Sequence, residues 1–152
     1  MSLRLETREF THFHLFCGIG MGAKGFNRGA ARLGNRDAKL RCVGGVDVDA
    51  DCIKNFGRYA GVPGTQLDMF DRQQYIDFHG CEPPKNWRPA MPVDIRNAAH
   101  GEFPDIVFLS APCKGFSGLL NETSSKTLKY QALNELTLRG VWLMCEAFKD
   151  QP

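Results

Sequence analysis

A strand candidate that runs straight into a glycine-rich turn and then a helix constrains this chain more than any other feature. His12-Phe13-His14-Leu15-Phe16 is short and mostly apolar. It leads into Cys17-Gly18-Ile19-Gly20-Met21-Gly22-Ala23-Lys24-Gly25, where glycines at 18, 20, 22 and 25 let the backbone turn sharply and approach a ligand closely. Residues 22–33 are expected to form the following helix, with Ala23, Phe26, Ala30 and Leu33 on one face. Strand, glycine turn and helix in that order open an α/β fold of the nucleotide-binding kind. Gly20-x-Gly22-x-x-Gly25 also satisfies G-x-G-x-x-G, a weak signal alone, because most such glycines serve only the turn.

The second strand candidate spans Leu40–Val48 and ends in Val46-Asp47-Val48-Asp49. An acidic side chain at the end of a second strand can accept hydrogen bonds from both hydroxyls of a ribose. Asp47 is therefore read as facing a ligand. Asp49 is read as the N-cap of the next helix, with Asp51 in its first turn and Cys52, Ile53 and Phe56 on its apolar face. His12-x-His14 places two imidazoles on one face of a strand. With no third ligand nearby in sequence, packing is the favoured reading and no metal site is expected.

Between Gly57 and Met91 the periodicity fades. Gly61-Val62-Pro63-Gly64 is a turn, Leu67-Asp68-Met69-Phe70 an apolar patch containing an acid, and Pro83-Pro84 with Trp87 and Pro89 a loop. Residues 57–91 are read as an insertion or a long functional loop. Residues 1–10 are polar at first and patternless, and are expected to be a disordered leader before one domain, or a large part of one, at 11–152. Asp94, 11 residues before the next strand, is either a loop solvation group or a contact to a ligand's base.

Ile106-Val107-Phe108-Leu109 is an apolar run bounded by Pro104 and Pro112, as expected of a strand buried on both faces. Cys113 then sits just beyond the carboxyl end of that strand, on a loop with Lys114, Gly115 and Gly118. Ligands of open α/β sheets bind at that edge, so a thiol held there is a candidate nucleophile; by position alone a small buried residue is the commoner reading. From about Lys129 to Phe148 the pattern turns helical through Leu133, Leu136, Gly140, Leu143 or Met144, and Ala147, although Val141-Trp142-Leu143-Met144 would also suit a strand.

Composition narrows the classes. A formal charge of +2 over 152 residues announces neither nucleic acid nor membrane, while leaving room for a locally basic groove. Six scattered cysteines with no C-x-x-C pair fit neither a zinc site nor a disulfide framework, and reduced thiols in the cytoplasm are the simplest account. No apolar run approaches the ~18 residues of a membrane span.

In their order along the chain, these pieces resemble the C5-cytosine DNA methyltransferase family. Phe16-Cys17-Gly18-Ile19-Gly20 is similar to its F-x-G-x-G loop for S-adenosylmethionine, and Pro112-Cys113-Lys114-Gly115-Phe116-Ser117 to its Pro-Cys-Gln-x-Phe-Ser nucleophile loop. Arg139-Gly140-Val141-Trp142 is similar to the family's next cofactor-side segment. The resemblance implies a Rossmann-like S-adenosylmethionine-dependent methyltransferase sheet with helices on both faces. It further implies cofactor contacts from Phe16, Gly18, Ile19, Gly20, Asp47, Val48, Asp94, Ile95 and Pro112, the Asp-Ile pair lying at the adenine. Cys113 would be the nucleophile, and Lys114, Phe116 and Ser117 would belong to the substrate loop. The chain departs from the pattern at His14, where the family has Asp, at Met21 for a glycine, at Asp47 for Glu and at Lys114 for Gln.

By that resemblance, the Cys113 thiolate adds to C6 of a cytosine flipped out of DNA, and C5 takes the methyl group, as in restriction-modification systems. The family's Glu-Asn-Val and Gln-x-Arg-x-Arg motifs are not in the sequence. The chain is therefore expected to be C-terminally incomplete, to need its missing half or a complementing subunit, and alone to bind cofactor weakly, if at all, and to turn over negligibly. A cytoplasmic or nucleoid-associated location is expected. Four alternatives stay open: a nicotinamide-dependent oxidoreductase, a cysteine hydrolase using His79 or His100, a non-catalytic S-adenosylmethionine-binding subunit, and an RNA cytosine methyltransferase.

Overall fold

A computed structural model describes residues 6–112 and 127–150. The architecture is α/β, with a mixed sheet of five strands among the described residues. The strands are β1 (Glu6–Leu15), β2 (Ala30–Leu33), β3 (Arg36–Asp47), β4 (Thr65–Gln66) and β5 (Ile106–Leu109). The helices are α1 (Met21–Arg28), α2 (Ala50–Ala60), α3 (Arg72–His79), α4 (Pro92–Ala98) and α5 (Leu128–Phe148). β1 lies between β3 and β5 and is parallel to both; β3 also carries β4 in parallel and β2 antiparallel. The chain builds outward from β1 through β3 to β4, then returns to pair β5 on the other side of β1. The strand order thus reverses at β1.

Alternation along β1 sorts the core into two layers, because successive side chains point to opposite faces. Phe13 and Leu15 pack with Val43, Val46, Ile95, Leu136 and Leu143 under α4 and α5. His12 and His14 point the other way, to the side where α1 and α2 bury Ala23, Cys42, Phe56 and Ala60. A bulge at Val43 keeps both patterns in phase, since His12 pairs with Cys42 but Phe13 pairs with Gly44. Gly44 has no room for a side chain: an added Cβ would lie 2.1 Å from the Ala98 carbonyl oxygen of α4. Two arginines tie α5 down. Arg96 donates to the Ala147 carbonyl, one of the last carbonyls of α5, and Arg139 donates to that of Ala90.

Several expectations hold. Asp49 caps α2, its carboxylate accepting from the Asp51 and Cys52 amides. α5 is helical throughout, burying Ala132, Leu136, Gly140, Leu143 and Ala147. Others are corrected. The helix expected over 22–33 ends at Arg28, and residues 30–33 form β2, joined to β3 by a two-residue hairpin turn. Gly34 takes φ +60 there, the first position of a primed turn, and Gly-Asn was the signal for it. Residues 6–10, expected in a leader, are strand, paired to 36–40 of β3. Residues 57–91 hold β4 and α3, the latter opened by a capping box in which Asp71 and Gln74 satisfy each other's backbone. β5 is half-buried and pairs only with β1 among the described residues, not buried on both faces. None of the described helices is long and apolar enough to cross a membrane.

Candidate functional site

The carboxyl ends of β1, β3, β4 and β5 open onto one cavity of about 380 Å³. Phe16 follows β1, Asp47 ends β3 and Val48 follows it, Leu67 to Phe70 follow β4, and Ser110 and Pro112 follow β5; Phe78 and His79 of α3 and Leu133 and Leu136 of α5 close it. Open α/β sheets bind ligands at this edge, where strand order reverses.

The glycine turn is held against this cavity by Asp47. One carboxylate oxygen accepts from the Gly18 amide at 2.8 Å and the other from the Asp49 amide at 3.0 Å. Each oxygen keeps a further lone pair for a ligand. Phe16 adopts φ +58, a left-handed conformation costly for a bulky residue. Its carbonyl accepts from the Ser110 hydroxyl at 2.9 Å, and its ring lies against α5 where Gly140 leaves space, since a Cβ on Gly140 would approach that ring to 3.1 Å. The turn is thereby clamped from β3, β5 and α5 together. Gly20, in the left-handed region at φ +88, starts α1 and lies against Phe56. The Cys17 thiol donates to Gly18 O, and burial, reinforced by the Asp47 charge, pushes its pKa up to about 12. It is a neutral thiol.

The expected site residues separate into four groups. Phe16, Asp47, Val48 and Pro112 line the cavity. Gly18 is joined to it through Asp47; Gly20 is buried beneath the turn, and Ile19 is exposed. Asp94 and Ile95 do not reach it. Ile95 is fully buried in the α4–α5 core, and Asp94 closes the first turn of α4 by accepting from the Met91 amide. Asp94 is also paired with Arg88 at 2.7 Å, which holds its carboxyl below the usual carboxylate range. The acid that lines the cavity alongside Asp47 is Asp68, two residues beyond β4, accepting from Trp87 Nε1 and from the Phe70 amide. The sequence marks it only as an acid within the apolar patch 67–70, because the two-residue strand before it carries no pattern of its own. Cys113, Lys114, Phe116 and Ser117 lie outside the described residues.

A second cluster lies on the other face of the sheet. His12 and His14, 0% and 2% exposed, meet at 2.8 Å between His12 Nδ1 and His14 Nε2. Asn27 of α1 orients them: its Nδ2 donates to Ala60 O, so Oδ1 accepts from the Cys42 amide and faces His12 Nε2 at 3.0 Å. Burial, with the neighbouring His12 adding to it, lowers the His14 pKa to about 4, and burial lowers that of His12 as well. Both rings are neutral near pH 7. The register of β1 on β3 brings Cys42 beside the pair, so that one donor atom of each of His12, His14 and Cys42 lies within 4.8 Å of the others.

No family model, no curated protein and no solved structure matches the chain.

Proposed function

We propose that the chain binds S-adenosylmethionine at the carboxyl edge of its sheet and is the cofactor-binding part of a C5-cytosine DNA methyltransferase with a Rossmann-like fold. The observation that carries this reading is the cavity in which Phe16, Asp47 and Asp68 converge around apolar walls. Its chemistry fits the cofactor. Aromatic and aliphatic walls suit an adenine ring, a carboxylate with lone pairs to spare suits a ribose, and two acids with an aromatic face suit a cationic sulfonium. Bound there, S-adenosylmethionine supplies an electrophilic methyl group.

The chain's own residues then do the positioning. Asp47 holds the glycine turn and the ribose with one carboxylate, so that cofactor binding and turn geometry are coupled. Phe16, strained and clamped by Ser110, presents its ring to the cavity without having to rearrange. Pro112 lines the cavity, and Cys113 follows it in sequence. The role that the motif assigns to Cys113 is addition of its thiolate to cytosine C6, with later loss of the C5 proton expelling the thiol.

Calorimetric titration of S-adenosylmethionine and of NAD⁺ tests the binding half of this proposal. Weak but saturable binding of the first and none of the second is expected, with Asp47→Ala weakening it by roughly tenfold or more, the loss of a charged hydrogen bond. Binding of NAD⁺ in preference sinks it. Covalent trapping on DNA containing 5-fluorocytosine, with the chain complemented by its missing half, tests the nucleophile, and an adduct that survives Cys113→Ala moves that role elsewhere.

A further inference from the structure

We infer that His12, His14 and Cys42 form a buried site for a soft monovalent cation, the cuprous ion, on the face of the sheet away from the cavity. None of the three lines that cavity, so the site is separate from the proposed cofactor pocket. Two imidazoles and a thiol are a soft donor set, and their donor atoms already lie within 4.8 Å of one another. The hydrogen bonding around them is that of an outer shell. Asn27 Oδ1 takes the Nε2–H of His12 and leaves the Nδ1 lone pair aimed at His14. A metal-bound histidine ordinarily shows this pattern, its second nitrogen donating to a carbonyl that fixes the tautomer.

Charge selects the ion. A cuprous ion bound by one thiolate and two neutral imidazoles leaves no net charge on the buried cluster, where Phe26 and Phe108 pack against His14. Zinc would leave one positive charge on a site buried at His12, His14 and Cys42, and it finds no fourth ligand in this cluster among the described residues; both disfavour it. Three ligands are enough for the monovalent ion. Binding forms two N–Cu bonds and one S–Cu bond, and breaks the Cys42 thiol bond to Gly44 O. The thiol proton leaves to solvent, and the Nε2 proton of His14 moves to its Nδ1. One proton is released per ion, with no oxidation or reduction. The two imidazole nitrogens, 2.8 Å apart, must open to roughly 3.5 Å to admit the ion at ordinary metal–nitrogen distances.

The test uses untagged protein in which exposed Cys81 and Cys145 are replaced by serine, titrated anaerobically with Cu(I) against a chromophoric chelator. One equivalent withdrawn from the chelator and one proton released are expected, and Cys42→Ser should weaken retention by roughly 100-fold or more, beyond the usual effect of losing an outer-shell partner. X-ray absorption at the copper edge should report two nitrogens and one sulfur, which does not depend on a variant that folds. Failure to compete for copper, sulfur-only coordination, undiminished retention in Cys42→Ser, or preference for Zn²⁺ overturns the assignment.

Discussion

The two faces of the sheet bury side chains from the same strand by different physics. Phe13 and Leu15 face α4 and α5 in an apolar core, where burial contributes roughly 1.5–3 kcal/mol per large side chain and partners are interchangeable in kind. His12 and His14 alternate with them and face α1 in a hydrogen-bonded network that runs through Asn27, the Cys42 amide and the Ala60 carbonyl. An apolar layer tolerates imprecision at a graded cost. A polar layer of this kind is satisfied only by one arrangement, because an orphaned buried group carries its full desolvation penalty. The difference predicts how each face fails.

The largest effect belongs to the apolar face. Phe13→Ala should cost roughly 3–5 kcal/mol in urea unfolding, by transfer and cavity terms together. Gly44→Ala follows at roughly 3 kcal/mol, because the new methyl would meet the α4 backbone and not a movable side chain. A near-normal midpoint for that variant would mean that α4 can lift from the sheet. On the polar face, Asn27→Leu keeps the volume but strands the Cys42 amide, the Ala60 carbonyl and His12 Nε2, at roughly 2–3 kcal/mol. If it instead proves neutral, the network is wetter or looser than its distances imply.

Acid should separate the two faces without any mutation. The His14 pKa falls from 6.5 to about 4 on folding, so below pH 6.5 the unfolded chain takes up a proton that the folded chain refuses. Stability contributed by the neutral ring is complete above that pH and is lost as pH falls toward 4. The loss is on the order of 2 kcal/mol after allowance for screening, read from unfolding free energies across that window. His12, also depressed, adds in the same direction. Replacing His14 by Phe should flatten the slope while leaving the apolar face unchanged. The smallest effect lies outside both layers, where Arg41 pairs with Glu9 at 2.8 Å and Glu102 at 2.7 Å on the exposed flank of the sheet. Arg41→Met should cost under about 1 kcal/mol, and less in high salt.

Much of the frame was legible because its causes are local. The strand from His12, the glycine turn, Asp49 as N-cap and the apolar spacing of α5 depend on residues within a few positions of one another. The hairpin at Gly34–Asn35 and the Asp71–Gln74 capping box were equally local, and were obscured by a helical pattern that ran through Gly29 and by weak periodicity after Gly57. Asp94, left open between a loop solvation group and a ligand contact, lies off the cavity lining for a different reason. Its spacing before β5 suited a ligand contact, but Pro92 begins α4 just ahead of it, and a carboxylate at that position closes the helix's own first turn.

By itself, the sequence determined that a strand–glycine turn–helix unit begins the fold, that Asp47 ends the second parallel strand and that α5 presents one apolar stripe. Tertiary structure alone decided that Asp68, and not Asp94, reaches the cavity, and that Cys42 meets the His12–His14 pair. The physical reason is register. Side chains 30 residues apart become neighbours only when β1 and β3 align, and the bulge at Val43 sets that alignment to suit both faces. No pattern within either strand states it.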